Sequence, residues 1–130
     1  MNGKFFTELE LACRCGCGEN LCTPELVNLL DAIRLDVGRP LKISRAYSCA
    51  AHNKALKASP RHPTGNAADI LCSGQIAFSV VNSARENGAV GIGVAQNPAR
   101  PAANRFVHVD LLGAYVGTTW SRRGIVWSYD

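Results

Sequence analysis

The chain has 130 residues, enough for one hydrophobic core of ordinary size and not for two, so a single domain over 1–130 is expected. Its 47% hydrophobic and 18% charged residues exclude the charge-rich, core-poor class that stays disordered. Fourteen Lys and Arg against ten Asp and Glu leave a net charge of +4, a mild balance that suits a polyanionic surface without requiring one.

The basic residues are scattered, with no aromatic run among them, so no nucleic-acid partner is expected. No apolar run approaches the ~20 residues of a membrane helix, so no membrane partner is expected either. Met1 to Glu10 carries two acids and no apolar stretch, which predicts the absence of a signal peptide.

Cys13, Cys15, Cys17 and Cys22 crowd one short stretch, and Cys49 and Cys72 follow. Cys-x-Cys neighbours rarely bridge each other, because extended geometry holds i and i+2 too far apart. Cross-links to Cys49 or Cys72, a thiolate metal site and plain buried thiols all stay open at this point.

The first clear element is a helix predicted from Pro24 to Val37. Thr23 suits the N-cap, Pro24 the first helical position and Glu25 the positive helix end. Leu26, Leu29, Leu30, Ile33 and Val37 form one apolar stripe, and Gly38 and Pro40 stop the helix. Leu41 to Ser44 alternates as a strand, Ala50 to Ala58 reads as a short helix, and a loop from Ser59 to Asn66 leads into a strand from Ala67 to Cys72. Ser73 is expected to cap a second long helix to Asn87, ended by Gly88. Val90 to Val94 alternates again, and Gly91 and Gly93 suggest close backbone approach. A loop from Gln96 to Asn104 precedes a strand from Arg105 to Leu111, and a last strand or hairpin covers Thr118 to Trp127. This mixture without strict alternation predicts an α+β fold, with helices packed on a small, largely antiparallel sheet.

The three histidines are His52, His62 and His108. His62 is followed by Asp69 and His108 by Asp110, a sparse set of the residue types that hold catalytic zinc. Such a site takes three ligands from His and carboxylates and leaves a fourth position open. Period 2 puts Phe106, His108 and Asp110 on one strand face and Val107 and Val109 on the other, which reads as core. Asp110 is then placed to hold the His108 ring or to accept a proton in catalysis. His52, in a predicted helix beside Asn53, is a cleft-lining candidate rather than a ligand.

Four segments carry a resemblance. They are Arg45-Ala46-Tyr47-Ser48-Cys49-Ala50-Ala51-His52-Asn53, His62-Pro63-Thr64-Gly65-Asn66-Ala67-Ala68-Asp69-Ile70, Gly91-Ile92-Gly93 and Phe106-Val107-His108-Val109-Asp110. Together they resemble the zinc D-Ala-D-Ala carboxypeptidase and murein endopeptidase family of peptidoglycan hydrolases, the M15 peptidases, in its short phage-type branch. The opening Cys13 to Gly18, the Pro24 helix and the Gly38-Arg39-Pro40-Leu41 turn look like that branch too, so the resemblance spans about residues 5 to 120.

The resemblance implies a hedgehog/D-Ala-D-Ala peptidase-like fold and one zinc ion held by His62, Asp69 and His108. It implies hydrolysis of a peptide bond at a D-amino acid, with the bacterial peptidoglycan stem peptide as the partner of a monomer. It also implies action at the cell wall or periplasm after release by another factor, as in phage lysis.

Several positions depart from the family pattern. Its acid three residues before the second zinc histidine is Arg105 here, and the alternative histidine two before is Phe106, which leaves Asp110 as the candidate catalytic base. Its Arg after Tyr is Ser48, and its Ser before the first zinc histidine is Pro60. Arg45, three residues before Ser48, is expected on the opposite strand face. Arg61 and Arg105, which flank the two zinc histidines, are therefore the candidate substrate-binding cations, with His52 and Tyr47 beside them. The departures leave an alternative: a weak or inactive wall-binding or virion-associated module that retains fold and metal. A thiolate-zinc interaction domain built on Cys13, Cys15, Cys17 and Cys22 is a further one. Trp120 and Trp127 read as packing residues.

Overall fold

The computed structural model describes residues 3–116, 119–121 and 123–129. Thr7 opens a single-turn helix, α1 (Glu8–Leu11), through a capping box. Its hydroxyl accepts from the Glu10 amide at 3.2 Å, and the Glu10 carboxylate accepts from the Thr7 amide at 3.1 Å. So short a turn has no periodic signal and was not expected. It matters because it buries Leu11 in the core.

Helix α2 (Pro24–Val37) has the predicted bounds and caps. The Thr23 hydroxyl accepts from the Leu26 amide at 3.2 Å and donates to Asn66 Oδ1 at 2.7 Å, so the cap also ties the helix to the next part of the chain. Leu26, Leu29, Leu30 and Ile33 are buried, each contributing roughly 1.5–3 kcal/mol of transfer free energy. Strand β1 (Lys42–Arg45), helix α3 (Ala50–Ala55) and strand β2 (Ala67–Leu71) follow, with a turn of 3₁₀ helix at His62–Thr64 inside the predicted loop. Helix α4 (Gly74–Glu86) starts after Ser73, whose hydroxyl makes no cap bond, and ends at Asn87. Strands β3 (Gly91–Ala95) and β4 (Phe106–Asp110) flank the proline-rich loop.

The expected final hairpin divides. Strands β5 (Tyr115–Val116) and β6 (Thr119–Trp120) pair antiparallel, whereas β7 (Ile125–Ser128) joins the main sheet. Thr118 and Arg122, within the expected hairpin, lie outside the described residues.

The main sheet has the order β1-β2-β4-β3-β7. Its first three pairings are antiparallel, but β7 runs parallel to β3. The fold is α+β with a mixed sheet, which corrects the expectation of a largely antiparallel one. The reason is topological: the chain passes through the β5–β6 hairpin before returning, so β7 enters along β3 in the same direction.

One sheet face, with Ile43, Ala68, Ile70, Ile92, Val107 and Val109, packs into a core with the apolar stripes of α2 and α4. The opposite face is left to carry chemistry. In β1 the register slips between Ile43 and Arg45, a bulge in which two steps on β1 match one on β2. Ile43 therefore stays on the core face while Arg45 turns to the other.

Candidate active site

The sheet register brings one row of residues together across all five strands. Arg45 pairs with Asp69, Asp69 with His108, His108 with Gly93, and Gly93 with Trp127. Four strands thus supply side chains to the same strip of surface, on the face away from the helices. His62 joins them from the 3₁₀ turn that leads into β2.

His62 Nδ1 donates to the carbonyl of Ala46 at 2.7 Å, which fixes the ring so that Nε2 faces Asp69. His62 Nε2 lies 3.4 Å from Asp69 Oδ2. His108 Nε2 donates to Asp110 Oδ2 at 2.8 Å, and His108 Nδ1 stands 2.9 Å from Asp69 Oδ1. The two rings meet edge to face, with centroids 5.2 Å apart. His62, Asp69 and His108 are each buried, and their ligand atoms lie within 4.8 Å of one another.

The donor chemistry fits zinc: two imidazoles and one carboxylate, each ring held at its far nitrogen, as ligating histidines are. Burial works against a charge on Asp69, but hydrogen bonds from His108 and His62 more than offset it and hold the carboxyl well below its usual range. Burial likewise opposes a charge on His108, yet hydrogen bonds to Asp110 and Asp69 raise its pKa.

Asp110 is fully buried beneath the row. Its Oδ2 accepts from His108 and from Arg61 Nη1 at 2.7 Å, and its Oδ1 accepts from the amides of Leu112 at 2.9 Å and Gly113 at 3.0 Å. Burial opposes its charge as well, and the bonds from His108 and the Gly113 amide keep its pKa lowered. Of the two roles considered for Asp110, this geometry favours holding the His108 ring. Both oxygens are engaged, and the carboxylate does not line the cleft.

That cleft has a volume of about 310 Å³ and is lined by Arg45, Arg61, His62, Asp69, His108, Trp127 and Tyr129 among others. Arg61 is buried between the rings of Trp120 and Trp127, 4.9 and 4.6 Å from its guanidinium, and is spent largely on Asp110 and the carbonyl of Gly113. Arg105 lies elsewhere, donating to the carbonyls of Arg100 and Pro98. His52 is half-buried on α3 and does not line the cleft. Tyr47 is buried and donates to Glu19 Oε1 at 2.7 Å, which pushes its phenol well above the usual range and turns it away from the row.

Arg45, expected on the face opposite Ser48, is in the cleft wall, and the bulge after Ile43 turns it there while Ser48 is buried elsewhere. Its Nη2 donates to Asn53 Oδ1, and Asn53 is in turn held by the carbonyls of Ala58 and Ser59. Among the described residues, the buried Nε of Arg45 has no hydrogen-bond partner. Tyr129 also lines the cleft, and sequence reasoning passed over it. The available signal was its alternation with Trp127, which puts both on one face of the last strand.

The glycines of Gly91-Ile92-Gly93 have a steric reason. A Cβ on Gly91 would lie 2.4 Å from Asp110 Oδ1, and one on Gly93 would lie 2.6 Å from the Trp127 ring. Side chains there would push out the clamp on His108 and the ring that walls the cleft.

Among the described residues no helix is long and apolar enough to cross a membrane. No curated protein matches the chain significantly. The family model described as Peptidase M15 matches residues 4–110, which include the two-histidine, one-aspartate cluster and the Asp110 clamp. The chain belongs to the Peptidase M15 family of zinc metallopeptidases.

Proposed function

We propose that this protein is a zinc-dependent peptidoglycan peptidase that hydrolyses a peptide bond at a D-amino acid of the wall stem peptide. The observation that carries the reading is the convergence of His62 Nε2, the Asp69 carboxylate and His108 Nδ1 at the cleft, with each ring's other nitrogen already bound. Zinc held by these three would polarise the scissile carbonyl and bring the pKa of water toward neutrality.

The chain's own residues supply the rest. Ala46 and Asp110 keep the imidazoles in the tautomers that face Asp69. Arg45, in the cleft wall, offers its guanidinium to a substrate carbonyl or carboxylate, taking the place of the family arginine that Ser48 lacks. Ser48 itself is buried away from the cleft. Burial raises the Tyr129 phenol, so it stays protonated at neutral pH and acts as a donor. Trp127 and Phe106 provide an apolar wall for a methyl-sized side chain.

One observation favours the second reading, a slow or binding-only wall module. Among the described residues, the cleft is lined by no carboxylate other than Asp69, so no spare acid stands ready to take a proton.

Mass spectrometry of defined muropeptides, with and without a chelator, tests the proposal. Chelator-sensitive loss of a terminal D-alanine, or a cut within a cross-link, absent in His62→Ala, is the expected result. Zinc bound by His62 with no cleavage of any muropeptide would transfer the conclusion to the binding module.

A further inference from the structure

A second set of metal-type ligands converges just past the C-terminal end of β1 and shares no residue with the histidine cluster. The Sγ atoms of Cys13, Cys15, Cys17 and Cys49 all lie within 4.8 Å of one another. Cys13 and Cys15 are 3.5 Å apart and Cys15 and Cys49 are 3.7 Å apart. Four thiolates placed tetrahedrally at about 2.3 Å from zinc stand roughly 3.8 Å from each other, so the cluster has the spacing of a ligand shell. Gly16 and Gly18, at φ of 89° and 77°, coil the segment so that alternate cysteines turn inward. The amide of Cys49 donates to Cys13 Sγ at 3.3 Å, a contact that stabilises thiolate charge.

We propose that Cys13, Cys15, Cys17 and Cys49 bind one zinc-class divalent ion as a closed, structural tetrathiolate site. The fourth ligand is Cys49, the N-cap residue of α3, and not Cys22, whose thiol is directed at the carbonyl of Leu11 at 3.7 Å. Cys72 stands apart as well, over the carbonyl of Ile70.

The site's place in the fold says what it does. Cys49 is three residues from Ala46, whose carbonyl holds the His62 ring. The amide of Tyr47 donates to Leu11 O at 3.2 Å, and Arg14 Nη2 donates to Ile43 O at 2.8 Å, so the N-terminal segment already lies along this strand. The ion staples that segment to the start of α3 and stiffens the backbone on which His62 depends. All four ligand positions are filled by sulfur, so it offers no open site for substrate.

Anaerobically reduced protein, reconstituted with zinc or cobalt, tests this. The expected result is two ions per chain, falling to one in Cys15→Ser/Cys17→Ser and to one in His62→Ala. Both exchanged cysteines are exposed, so the change removes ligands and no core packing. Cobalt-loaded His62→Ala keeps sulfur-to-metal charge-transfer bands, and zinc X-ray absorption of that variant shows a shell of sulfur alone at about 2.3 Å. These two readouts need no cysteine variant to fold. Metal content untouched by the cysteine changes, cobalt spectra without charge-transfer bands, or a disulfide within the cluster that persists in the reduced protein would each overturn the proposal.

Discussion

Arg45 faces Asp69 across the β1–β2 pair, although counting by twos from Ile43 sends it to the core side of the sheet. The bulge between them is the cause, and it delivers a guanidinium to the wall of a cleft whose family arginine has been replaced by Ser48. Arg45→Met should therefore leave zinc content unchanged and lower kcat/KM for a muropeptide by about 10²–10³, the usual loss for a removed oxyanion donor. Asn53→Ala, which frees the guanidinium and leaves the carbonyls of Ala58 and Ser59 without their donor, should cost less. Steady-state kinetics on a matched muropeptide series checks both, and an unaltered Arg45→Met would remove this residue from the mechanism.

Asp110 is predicted to act through His108. Replacing it with Ala strips the ring of its acceptor and strands Arg61, buried and unpaired. Zinc affinity should fall about 10–100-fold. Folding stability should fall by roughly 3–5 kcal/mol, as when one partner of a buried ion pair is lost. Competition with a metal indicator and urea unfolding measure the two effects. A variant that binds zinc as wild type but has lost kcat would instead identify Asp110 as the proton acceptor.

Gly91→Ala should destabilise the protein by about 1–3 kcal/mol, because its Cβ must displace a carboxylate that is already fully bonded. Gly93→Ala meets the rings of Trp127 and Tyr129 and should behave alike. Gly124→Ala is the control: its nearest neighbour would be Val90 O at 3.8 Å, so a change within about 0.5 kcal/mol is expected. Urea midpoints for the three variants decide the matter.

Without zinc, the row should be most stable at mildly acidic pH. The His108 pKa is raised on folding, so its contribution is full below the ordinary imidazole value of about 6.5 and is lost as pH rises through the raised value. Asp69 and Asp110 are lowered, so theirs is full above about 4 and is lost as pH falls through the lowered values. The metal-free Tm should thus be highest between roughly pH 4 and 6.5 and decline on the alkaline side. That alkaline slope should vanish in His108→Gln and in zinc-loaded protein, where the ring nitrogen facing Asp69 no longer carries a proton. A metal-free Tm that climbs from pH 6 to 9 would contradict the assignment.

The local signals were strong where the cause is local. Thr23, Pro24 and the leucine stripe define α2 to the residue, since caps and a 3.6-residue period act within one helix. Alternation along Phe106 to Asp110 separated His108 from the core valines, because a strand's two faces follow from its own pleat. The His62–Asp69–His108 set and the two glycines of Gly91-Ile92-Gly93 could be picked out by residue type and motif. Pairing decided the rest. Counting from Ser48 put Arg45 on the opposite face but could not say which face is the cleft, because the bulge after Ile43 exists only relative to a partner strand. The sheet proved mixed because the direction of β7 depends on where a distant hairpin returns the chain. Asp110 gained its Arg61 partner, and Cys49 its place among Cys13, Cys15 and Cys17, from contacts between residues tens of positions apart. Chain order says what each residue can do, and the tertiary structure decides what it stands beside.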